Sequence, residues 1–260
     1  MSLSPPKPSR LFSNWDQVAR RIRESRQVLL FLDFDGTLAP FASRPEQARL
    51  SGRARRILRR LARHPRVTLV VISGRRRADL FRHVGIRTIR YFGLYGWERT
   101  GRHRLPRPAQ NALHRARQQL ARRLSPYPGV WVEDKRTSLC VHLRGVPARV
   151  RRRVRRQLRA LSRPFQRSLR LFENLRDADI VPRLNSGKGA AVRRLLAQPR
   201  FRRALPIYFG DDHSDEPAFA ALRRGISVRV GPPLPTRARY RVRDPDEVAG
   251  ALLRLEAALP

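Results

Sequence analysis

The sequence is poor in cysteine, lysine and acidic residues, and it contains no long apolar segment. Its single cysteine, Cys140, excludes a disulfide within the chain and favours a reducing cytoplasm. No stretch reaches the roughly 18 apolar residues that a membrane-spanning helix needs. Residues 1–10 lack the apolar centre of a secretory signal and predict a short disordered lead. We therefore expect a cytoplasmic protein without a membrane segment.

The shortage of acidic residues leaves a large positive charge. The chain carries 58 lysines and arginines against 20 aspartates and glutamates, a net charge of +38. Such a charge predicts affinity for nucleic acid or another polyanion. However, only Lys7, Lys135 and Lys188 are lysines, and arginine-rich codon usage in a GC-rich genome produces that ratio. The arginines are spread along the chain without zinc-finger spacing or aromatic stacking residues, so codon bias and attraction of anionic substrates are favoured over dedicated nucleic-acid binding.

Apolar runs alternate with amphipathic, arginine-rich segments over most of the chain. Hydrophobic residues make up 41% of the sequence, enough to bury a core. The predicted buried strands cover residues 28–33, 67–72, 205–209 and 226–230. The predicted helices between and after these strands cover residues 76–83, 187–196, 215–222 and 245–259. This strand–loop–helix alternation predicts an α/β fold with a Rossmann-like, doubly wound parallel sheet.

The middle of the chain follows a different pattern. Short strands are predicted at 131–133, 138–143, 168–173 and 178–182, interleaved with helices at 108–124 and 147–161. This pattern predicts a small α+β cap domain inserted between the two halves of the sheet, with edges near Arg102 and Leu184. The expected domains are residues 1–102 and 184–260 for the core and 103–183 for the cap.

Two aspartates follow the first predicted strand, one residue apart. Residues i and i+2 of a strand face the same way, so Asp33 and Asp35 can converge on one reacting group. One carboxylate can then attack while the other transfers a proton. The alternative is an ordinary Asp-Gly turn, because these residues are common in turns for backbone reasons.

Acidic side chains also gather after a later predicted strand. Six of the 20 acidic residues lie in two short loops, at 33–35 and 211–216. Helix capping explains one or two of the acids in the second loop but hardly four. A concentrated acidic pocket in so positive a protein needs a cation, and ligands that are all oxygen favour Mg²⁺. The expected magnesium ligands are Asp33, Asp35 through its carbonyl, Asp211 and Asp212, with Asp215 behind them.

These residues predict phosphoryl transfer. Asp33 would attack phosphorus to form an aspartyl-phosphate. Asp35 would protonate the leaving alkoxide and then deprotonate the water that hydrolyses the intermediate. The groups expected to hold the phosphate oxygens are Thr37, Ser73, Gly74 and Lys188. Lys188 stands out because lysine is rare here and because it lies at the start of a predicted helix, where anions are favoured.

Together these residues resemble the haloacid dehalogenase superfamily of aspartate-nucleophile phosphatases. The motifs that carry the resemblance are Asp33-x-Asp35-Gly36-Thr37, Ser73-Gly74-Arg75, Lys188, and Gly210-Asp211-Asp212-x-Ser214-Asp215-Glu216. Their order and spacing both agree with that superfamily, and the inserted middle segment is similar to its α/β cap.

Three further segments resemble the trehalose-6-phosphate phosphatase family within that superfamily. They are Gly93-Leu94-Tyr95-Gly96-Trp97-Glu98, Glu133-Asp134-Lys135-x-x-Ser138-x-x-x-His142-x-Arg144, and Val242-x-x-Pro245-x-Glu247-Val248. The resemblance extends from about Val28 to the end of the sequence. It implies that trehalose is the product. It also implies that the substrate is contacted by Glu98, Lys135, Glu173 and Arg75.

The expected function is Mg²⁺-dependent hydrolysis of trehalose 6-phosphate. A phosphatase of another sugar phosphate, of the sucrose, glucosylglycerol or mannosylglycerate type, stays open, as does transfer to an acceptor other than water. A basic nucleic-acid-binding protein on a phosphatase-like scaffold is the alternative from another class, and it would bind with strong salt dependence. The acidic residues of the two loops argue against this alternative, because they would repel a bound polyanion. A trehalose-phosphate synthase is the protein partner that the resemblance leaves open.

Overall fold

The computed structural model describes residues 7–42, 44–99, 105–173, 177–183 and 187–260. The chain divides into two compact units. The core unit comprises Met1–Arg99 and Gly187–Pro260, and the inserted unit comprises Thr100–Ser186. The predicted domain edges near Arg102 and Leu184 fall outside the described residues, so the predicted domain limits stay a prediction.

The described residues form eleven strands and eight α-helices. The strands are β1 (Ser9–Arg10), β2 (Val28–Leu32), β3 (Val67–Ile72), β4 (Arg90–Phe92), β5 (Trp131–Asp134), β6 (Leu139–His142), β7 (Leu169–Glu173), β8 (Asp177–Pro182), β9 (Leu205–Gly210), β10 (Ile226–Val230) and β11 (Tyr240–Val242). The helices are α1 (Trp15–Glu24), α2 (Gly52–Leu61), α3 (Arg77–Val84), α4 (Arg107–Leu124), α5 (Ala148–Ser162), α6 (Lys188–Leu196), α7 (Glu216–Ala221) and α8 (Pro245–Ala257).

The core unit is built on a parallel sheet. Seven of the described strands form it in the order β1-β11-β10-β9-β2-β3-β4, and each neighbouring pair is parallel. β2 occupies a central position, where Leu30 is in register with Leu69 of β3 and Ile207 of β9. The prediction of an α/β fold with a parallel core sheet is confirmed.

Both faces of this sheet are covered at its centre, which explains why β2 is apolar at every position. On β2, Val28, Leu30 and Leu32 belong to the hydrophobic cluster that includes residues of α1, α2, α3 and α8. Leu29 and Phe31 alternate with them and belong to the cluster that includes residues of α6 and α7. Full burial of such a side chain contributes roughly 1.5–3 kcal/mol. The alternation fixes the register of β2 and therefore the position of the residue that follows it.

The inserted unit has its own antiparallel sheet. Among the described residues its strand order is β5-β6-β8-β7, with every neighbouring pair antiparallel. Helices α4 and α5 contact one another and the strands, burying Leu113 and Leu120 from α4 and Val154 and Leu158 from α5. The predicted α+β composition of this unit is confirmed. Across the described parts of both units, every helix is too short or too polar to cross a bilayer.

Candidate active site

Three loops follow β2, β3 and β9 at the carboxyl edge of the core sheet. β2 lies between the other two strands, and all three are parallel. Asp33 directly follows β2, Ser73 follows β3 and Asp211 follows β9. The amide of Asp33 donates to the carbonyl oxygen of Phe209 at 3.0 Å, which links the first loop to the end of β9. The polar strand ends singled out in the sequence therefore meet at one edge of the sheet.

Asp33 is buried at this edge, with 4% of its surface exposed. The Nζ atom of Lys188 lies 3.0 Å from Oδ2 of Asp33. Burial raises the pKa of Asp33 because the carboxylate loses its water there, and the charge of Asp215 raises that pKa further. Lys188 acts in the opposite direction. The carboxylate predicted to attack phosphorus therefore lies beside a fixed positive charge.

Lys188 is held by a buried network behind Asp33. Its Nζ donates to Oδ1 of Asp215 at 2.8 Å, and the hydroxyl of Tyr208 donates to the same oxygen at 2.6 Å. Oδ2 of Asp215 accepts from the amide of Asp212 at 3.0 Å. Burial alone would lower the pKa of Lys188, but the charges of Asp215 and Asp33 outweigh it and raise that pKa. Lys188 is therefore a permanent ammonium at the first turn of α6.

Asp211 approaches the loop after β2 from the end of β9. The hydroxyl of Thr37 donates to Oδ1 of Asp211 at 3.2 Å. Gly36 has a φ of +78°, and a Cβ there would lie 2.4 Å from Oδ2 of Asp211, so the turn requires glycine. Burial raises the pKa of Asp211 well above its usual range, and the charge of Asp33 adds to that effect. Two carboxylates with raised pKa values thus lie next to one another.

This acidic group fits a divalent cation. The carboxylate oxygens of Asp33, Asp211 and Asp215 lie within 4.8 Å of one another. Both oxygens of Asp215 already accept the hydrogen bonds described above, so Asp33 and Asp211 are the better candidate ligands. A buried pair of carboxylates is costly unless a cation offsets it, and an all-oxygen donor set matches the preference of Mg²⁺.

The other two predicted magnesium ligands make different contacts. Both carboxylate oxygens of Asp35 accept from Arg75, each at 2.7 Å. The side chain of Asp212 caps the 3₁₀ turn at His213–Asp215. Neither residue belongs to the group of three neighbouring carboxylates found among the described residues. Magnesium binding by Asp35 and Asp212 stays a prediction.

Residues 73–75, the predicted phosphate loop, are braced by residues 93–98. The amides of Leu94 and Tyr95 donate to carbonyl oxygens in the phosphate loop, each at 2.8 Å. A Cβ on Gly74 would lie 2.8 Å from the Tyr95 ring, so the ring covers this glycine closely. The brace fixes the loop conformation. The phosphate-binding roles predicted for this loop, and for Thr37 and Lys188, stay predictions.

Glu98 ends the brace and caps helix α3. Its Oε2 accepts from the amide of Arg77, the first residue of α3, at 2.7 Å. Its Oε1 lies 3.4 Å from Nε of Arg76. Within the core unit the motif that ends in Glu98 therefore supports the phosphate loop. The predicted contact of Glu98 with the sugar stays a prediction.

In the inserted unit, Lys135 belongs to a polar face of the sheet. Its Nζ lies 3.2 Å from Oδ1 of Asp179. On the same face, His142 contacts Glu133 through Nε2 at 2.9 Å and Asp177 through Nδ1 at 3.1 Å. Register confirms the shared face, because residues directly opposite one another in an antiparallel pair lie on the same side. Charged groups of both signs thus alternate across this face.

Glu173 lies on the other face of that sheet. It is in register with Ala178, whereas its neighbour Phe172 is in register with Asp179 of the polar face. Its Oε2 accepts from Nε of Arg159, on α5, at 2.7 Å. The structure therefore does not bring Glu173 together with Lys135, although the family resemblance assigns both to the substrate.

Several contacts around the candidate site were not predicted from the sequence. Asp79 lies 2.9 Å from Arg75, and their spacing of four residues, with Asp79 on α3, is a recognisable signal for a pair. Tyr208 contacts Asp215 from inside a buried strand, and nothing in the apolar pattern of β9 distinguishes its hydroxyl. Asp177 and Asp179 look like ordinary strand residues until β8 is paired with β6.

Comparisons with known proteins identify the family of the chain and support the fold. The trehalose-phosphatase family model matches residues 31–246. The probable trehalose-phosphate phosphatase 4 of Oryza sativa subsp. japonica is 30% identical over 263 residues, covering 95% of this chain and 70% of that protein. A trehalose-phosphate phosphatase of Mycobacterium leprae is 34% identical over 224 residues, covering 79% of this chain and 51% of that protein.

A solved structure shares the complete fold. The C-terminal domain of Candida albicans trehalose-6-phosphate phosphatase aligns with a TM-score of 0.85 and 21% identity, covering 98% of this chain and 100% of that domain. This likeness confirms the core and inserted units as a known fold. The family match spans both units and all the motifs of the candidate site. By that match and by its curated relatives, the chain belongs to the trehalose-phosphatase family, whose members are phosphoric monoester hydrolases.

Proposed function

We propose that the chain hydrolyses trehalose 6-phosphate to trehalose and phosphate. The observation that carries this proposal is the family match over residues 31–246, which includes every motif of the candidate site. The names of the curated relatives supply the substrate. The buried acidic group beside Lys188 supports the reaction class, because a carboxylate suited to attack phosphorus, an ammonium group and a candidate metal site lie close together there.

In the proposed reaction, an oxygen of Asp33 attacks phosphorus and the bond to the sugar oxygen breaks. Lys188, 3.0 Å from Asp33, offsets negative charge on the nucleophile and on the phosphoryl oxygens. The network of Asp215 and Tyr208 keeps that ammonium in place. Hydroxyl and amide groups of Thr37, Ser73 and Gly74 would hold the non-bridging oxygens.

Asp35 supplies the proton transfers. It donates a proton to the departing sugar alkoxide, which would otherwise be a poor leaving group. In the second half of the reaction it accepts a proton from the water that attacks the aspartyl-phosphate. Phosphate then leaves, and Asp33 regains its free carboxylate.

Asp33 and Asp211 would hold Mg²⁺, with the carbonyl of Asp35 as the third expected ligand. Bound Mg²⁺ supplies charge that neutralises the nucleophile and the phosphoryl group. The raised pKa values of Asp33 and Asp211 support this assignment, because they mark buried acids that lack a sufficient counter-charge.

Sugar recognition is proposed for the inserted unit, acting as a cap. Lys135 is the leading candidate, since it lies on the polar face of that sheet. The carboxylate of Glu98 already accepts from Arg77 and would have to share its oxygens with a sugar hydroxyl. Glu173 accepts from Arg159 through Oε2 only, and its Oε1 has no hydrogen-bond partner in the part of the chain that the structure describes.

Phosphate release from a panel of sugar phosphates tests the proposal. Trehalose 6-phosphate should be the preferred substrate over sucrose 6-phosphate, glucosylglycerol phosphate and mannosyl-3-phosphoglycerate, and turnover should require Mg²⁺. Asp33→Asn should abolish turnover of every substrate while the folded chain persists. If trehalose 6-phosphate were hydrolysed no faster than the other sugar phosphates, or not at all, the substrate assignment would be wrong. Residual activity of the Asp33→Asn variant above a few per cent would contradict the role of Asp33 as the nucleophile.

We also infer a cytoplasmic location and a place in trehalose biosynthesis. The lone, buried thiol of Cys140 supports the first inference, and the family match supports the second. Cell fractionation tests the location. Co-purification with a trehalose-phosphate synthase tests the partner that the family resemblance leaves open.

A further inference from the structure

We propose that Arg75 is a positioning residue for Asp35 and does not bind the substrate. The inference rests on the proposed function, because it concerns the group assigned to proton transfer. It replaces the substrate contact that the family resemblance implies for Arg75. All the contacts of Arg75 that support this role lie within the core unit.

Arg75 forms a bidentate ion pair with one edge of the Asp35 carboxylate. Its Nε lies 2.7 Å from Oδ2 and its Nη2 lies 2.7 Å from Oδ1, the paired geometry in which guanidinium and carboxylate planes match. This contact uses one lone pair on each oxygen and leaves the second lone pair of each oxygen available. The carboxylate therefore cannot rotate freely, yet it keeps positions for accepting or carrying a proton.

Arg75 is itself anchored on its other side. Nη1 donates to Oδ2 of Asp79 at 2.9 Å, and Nη2 donates to the carbonyl oxygen of Pro45 at 2.7 Å. The guanidinium lies over the ring of Phe34, 5.2 Å from its centroid. Four of its five N–H groups are thus engaged by oxygens of the protein. Only 8% of the side chain is exposed.

These contacts leave little with which Arg75 could bind a sugar. A substrate ligand needs donors directed at solvent, whereas here almost every donor is taken and the side chain is buried. The contact between Arg75 and Asp35 also differs from an ordinary surface ion pair, because such pairs are exposed and weak whereas the Arg75 side chain is buried. The arrangement instead fixes the orientation of Asp35 relative to Asp33 through the loop at 73–75 and helix α3, which carries Asp79.

The geometry also requires arginine. Lysine keeps the charge but presents its donors from a single point, so it cannot hold both oxygens of Asp35 in one plane. Arg75→Lys should therefore preserve the electrostatic attraction while releasing the orientation of Asp35. Asp79→Asn should weaken the anchor of Arg75 and produce a smaller effect of the same kind.

Two aryl phosphates without a sugar provide the readout. p-Nitrophenolate leaves without a proton, whereas phenolate is more basic and benefits from one. The ratio of kcat/KM for phenyl phosphate to that for p-nitrophenyl phosphate reports proton donation during transfer to Asp33. General acid catalysis contributes on the order of 10²–10⁴-fold, so we expect Arg75→Lys to lower this ratio by roughly tenfold or more.

The controls separate this role from structural damage. Arg82→Gln also removes a partner of Asp79, but Arg82 is 76% exposed and makes no contact with Asp35 among the described residues, so the ratio should stay at the wild-type value. In an Asp35→Asn background, Arg75→Lys should cause no further change in the ratio. Melting temperatures identify variants that lose stability.

Three outcomes would overturn the inference. One is an equal loss on both aryl phosphates, which indicates structural damage. A second is a raised KM for trehalose 6-phosphate with an unchanged aryl ratio, which indicates a substrate ligand. The third is a wild-type chain that hydrolyses no phosphate ester, which removes the proposed function as well. A wild-type chain active on aryl phosphates but inactive on trehalose 6-phosphate would remove only the substrate, and the ratio would still decide the role of Arg75.

Discussion

The hydroxyl of Tyr208 donates a 2.6 Å hydrogen bond to Oδ1 of Asp215, the oxygen that also accepts from Lys188. Tyr208→Phe should keep the ring packing against Phe31 and Phe219 but lose this bond. Hydrogen bonds to charged groups contribute about 1.5–3 kcal/mol, so the free energy of unfolding should fall by about that amount. We expect kcat to fall by about tenfold, about 1.4 kcal/mol in the barrier, because the anchor of Lys188 loosens. Urea denaturation and steady-state kinetics measure the two effects.

Tyr91 provides a matched control for Tyr208. Its buried hydroxyl donates to the carbonyl oxygen of Ile86 at 2.8 Å, and it accepts from the amide of the same residue at 3.2 Å. Tyr91→Phe should lower the free energy of unfolding by about 0.5–1.5 kcal/mol, as expected for neutral hydrogen bonds. Its kcat should stay at the wild-type value. A kcat loss equal in both variants would show that Tyr208 acts only through general stability.

Binding of Mg²⁺ should stabilise the folded chain through Asp33 and Asp211. A ligand that binds only the folded state stabilises it by about 2.7 kcal/mol at one hundred times its Kd. The melting temperature should therefore rise with Mg²⁺ concentration. Because both pKa values are raised, protons compete with the metal, and the stabilisation should grow as the pH is increased. Differential scanning calorimetry at pH 6 and pH 8 measures both effects.

Two aspartate-to-asparagine substitutions, one at the candidate site and one far from it in the sequence, test where the metal binds. Asp211→Asn should remove the Mg²⁺-dependent shift in melting temperature. Asp246→Asn changes the net charge by the same amount at an exposed position on α8, and its shift should match the wild type. If the Asp211 variant kept the full shift, the candidate metal site would lie elsewhere.

The sequence predicted the centre of the core sheet better than its edges. The limits predicted for β2, β3, β9 and β10 agree with the structure to within one residue, because these strands are mostly apolar and stand out from the polar segments around them. β4 and β11 have three residues each and were not predicted. Their extended conformation depends on pairing with longer neighbours, which no local pattern encodes.

The candidate site was partly predictable for a similar reason. Asp33 and Asp211 come together because each follows a parallel strand, and strand ends can be located from apolar runs. The grip of Arg75 on Asp35 depends instead on side-chain directions in two different loops. Likewise, the face of the inserted sheet on which Glu173 lies depends on strand register, which the sequence does not specify at so short a strand.

Gly93 tests the brace behind the phosphate loop. A Cβ there would lie 2.2 Å from the amide nitrogen of Arg77 and 2.8 Å from the carbonyl oxygen of Arg75, both backbone atoms. Gly93→Ala should therefore displace the loop at 73–75, destabilising the chain by about 1–3 kcal/mol, as overpacking typically does. Turnover should fall with it. Thermal melting and phosphate release measure the two changes.

Gly52 is the control for that substitution. A Cβ at Gly52 would lie 3.6 Å from the flexible end of Arg56, which is ordinary contact, and Gly52 begins helix α2. Gly52→Ala should leave turnover unchanged and should not destabilise the chain, since alanine is favoured over glycine in helices. Similar losses in both variants would contradict a specific role for the brace.

His142 should make the stability of the chain depend on pH. Burial alone would lower the pKa of His142, but its hydrogen bonds to Asp177 and Glu133 outweigh burial and raise that pKa. A raised folded-state pKa gives stability that is fully present below the unfolded value of about 6.5 and is lost as the pH rises through the folded-state pKa. His142→Gln should therefore cost more stability at pH 5.5 than at pH 9, with at least about 1 kcal/mol lost at the lower pH. Urea denaturation at the two pH values measures this difference.

His114 is the matched control for His142, because it is exposed on α4 and contacts the neutral Gln118 at 3.0 Å. His114→Gln should therefore cost equally little stability at both pH values. If His142→Gln cost the same at both pH values, the ring would act as a neutral packing group, and its two carboxylate contacts would contribute nothing through its charge.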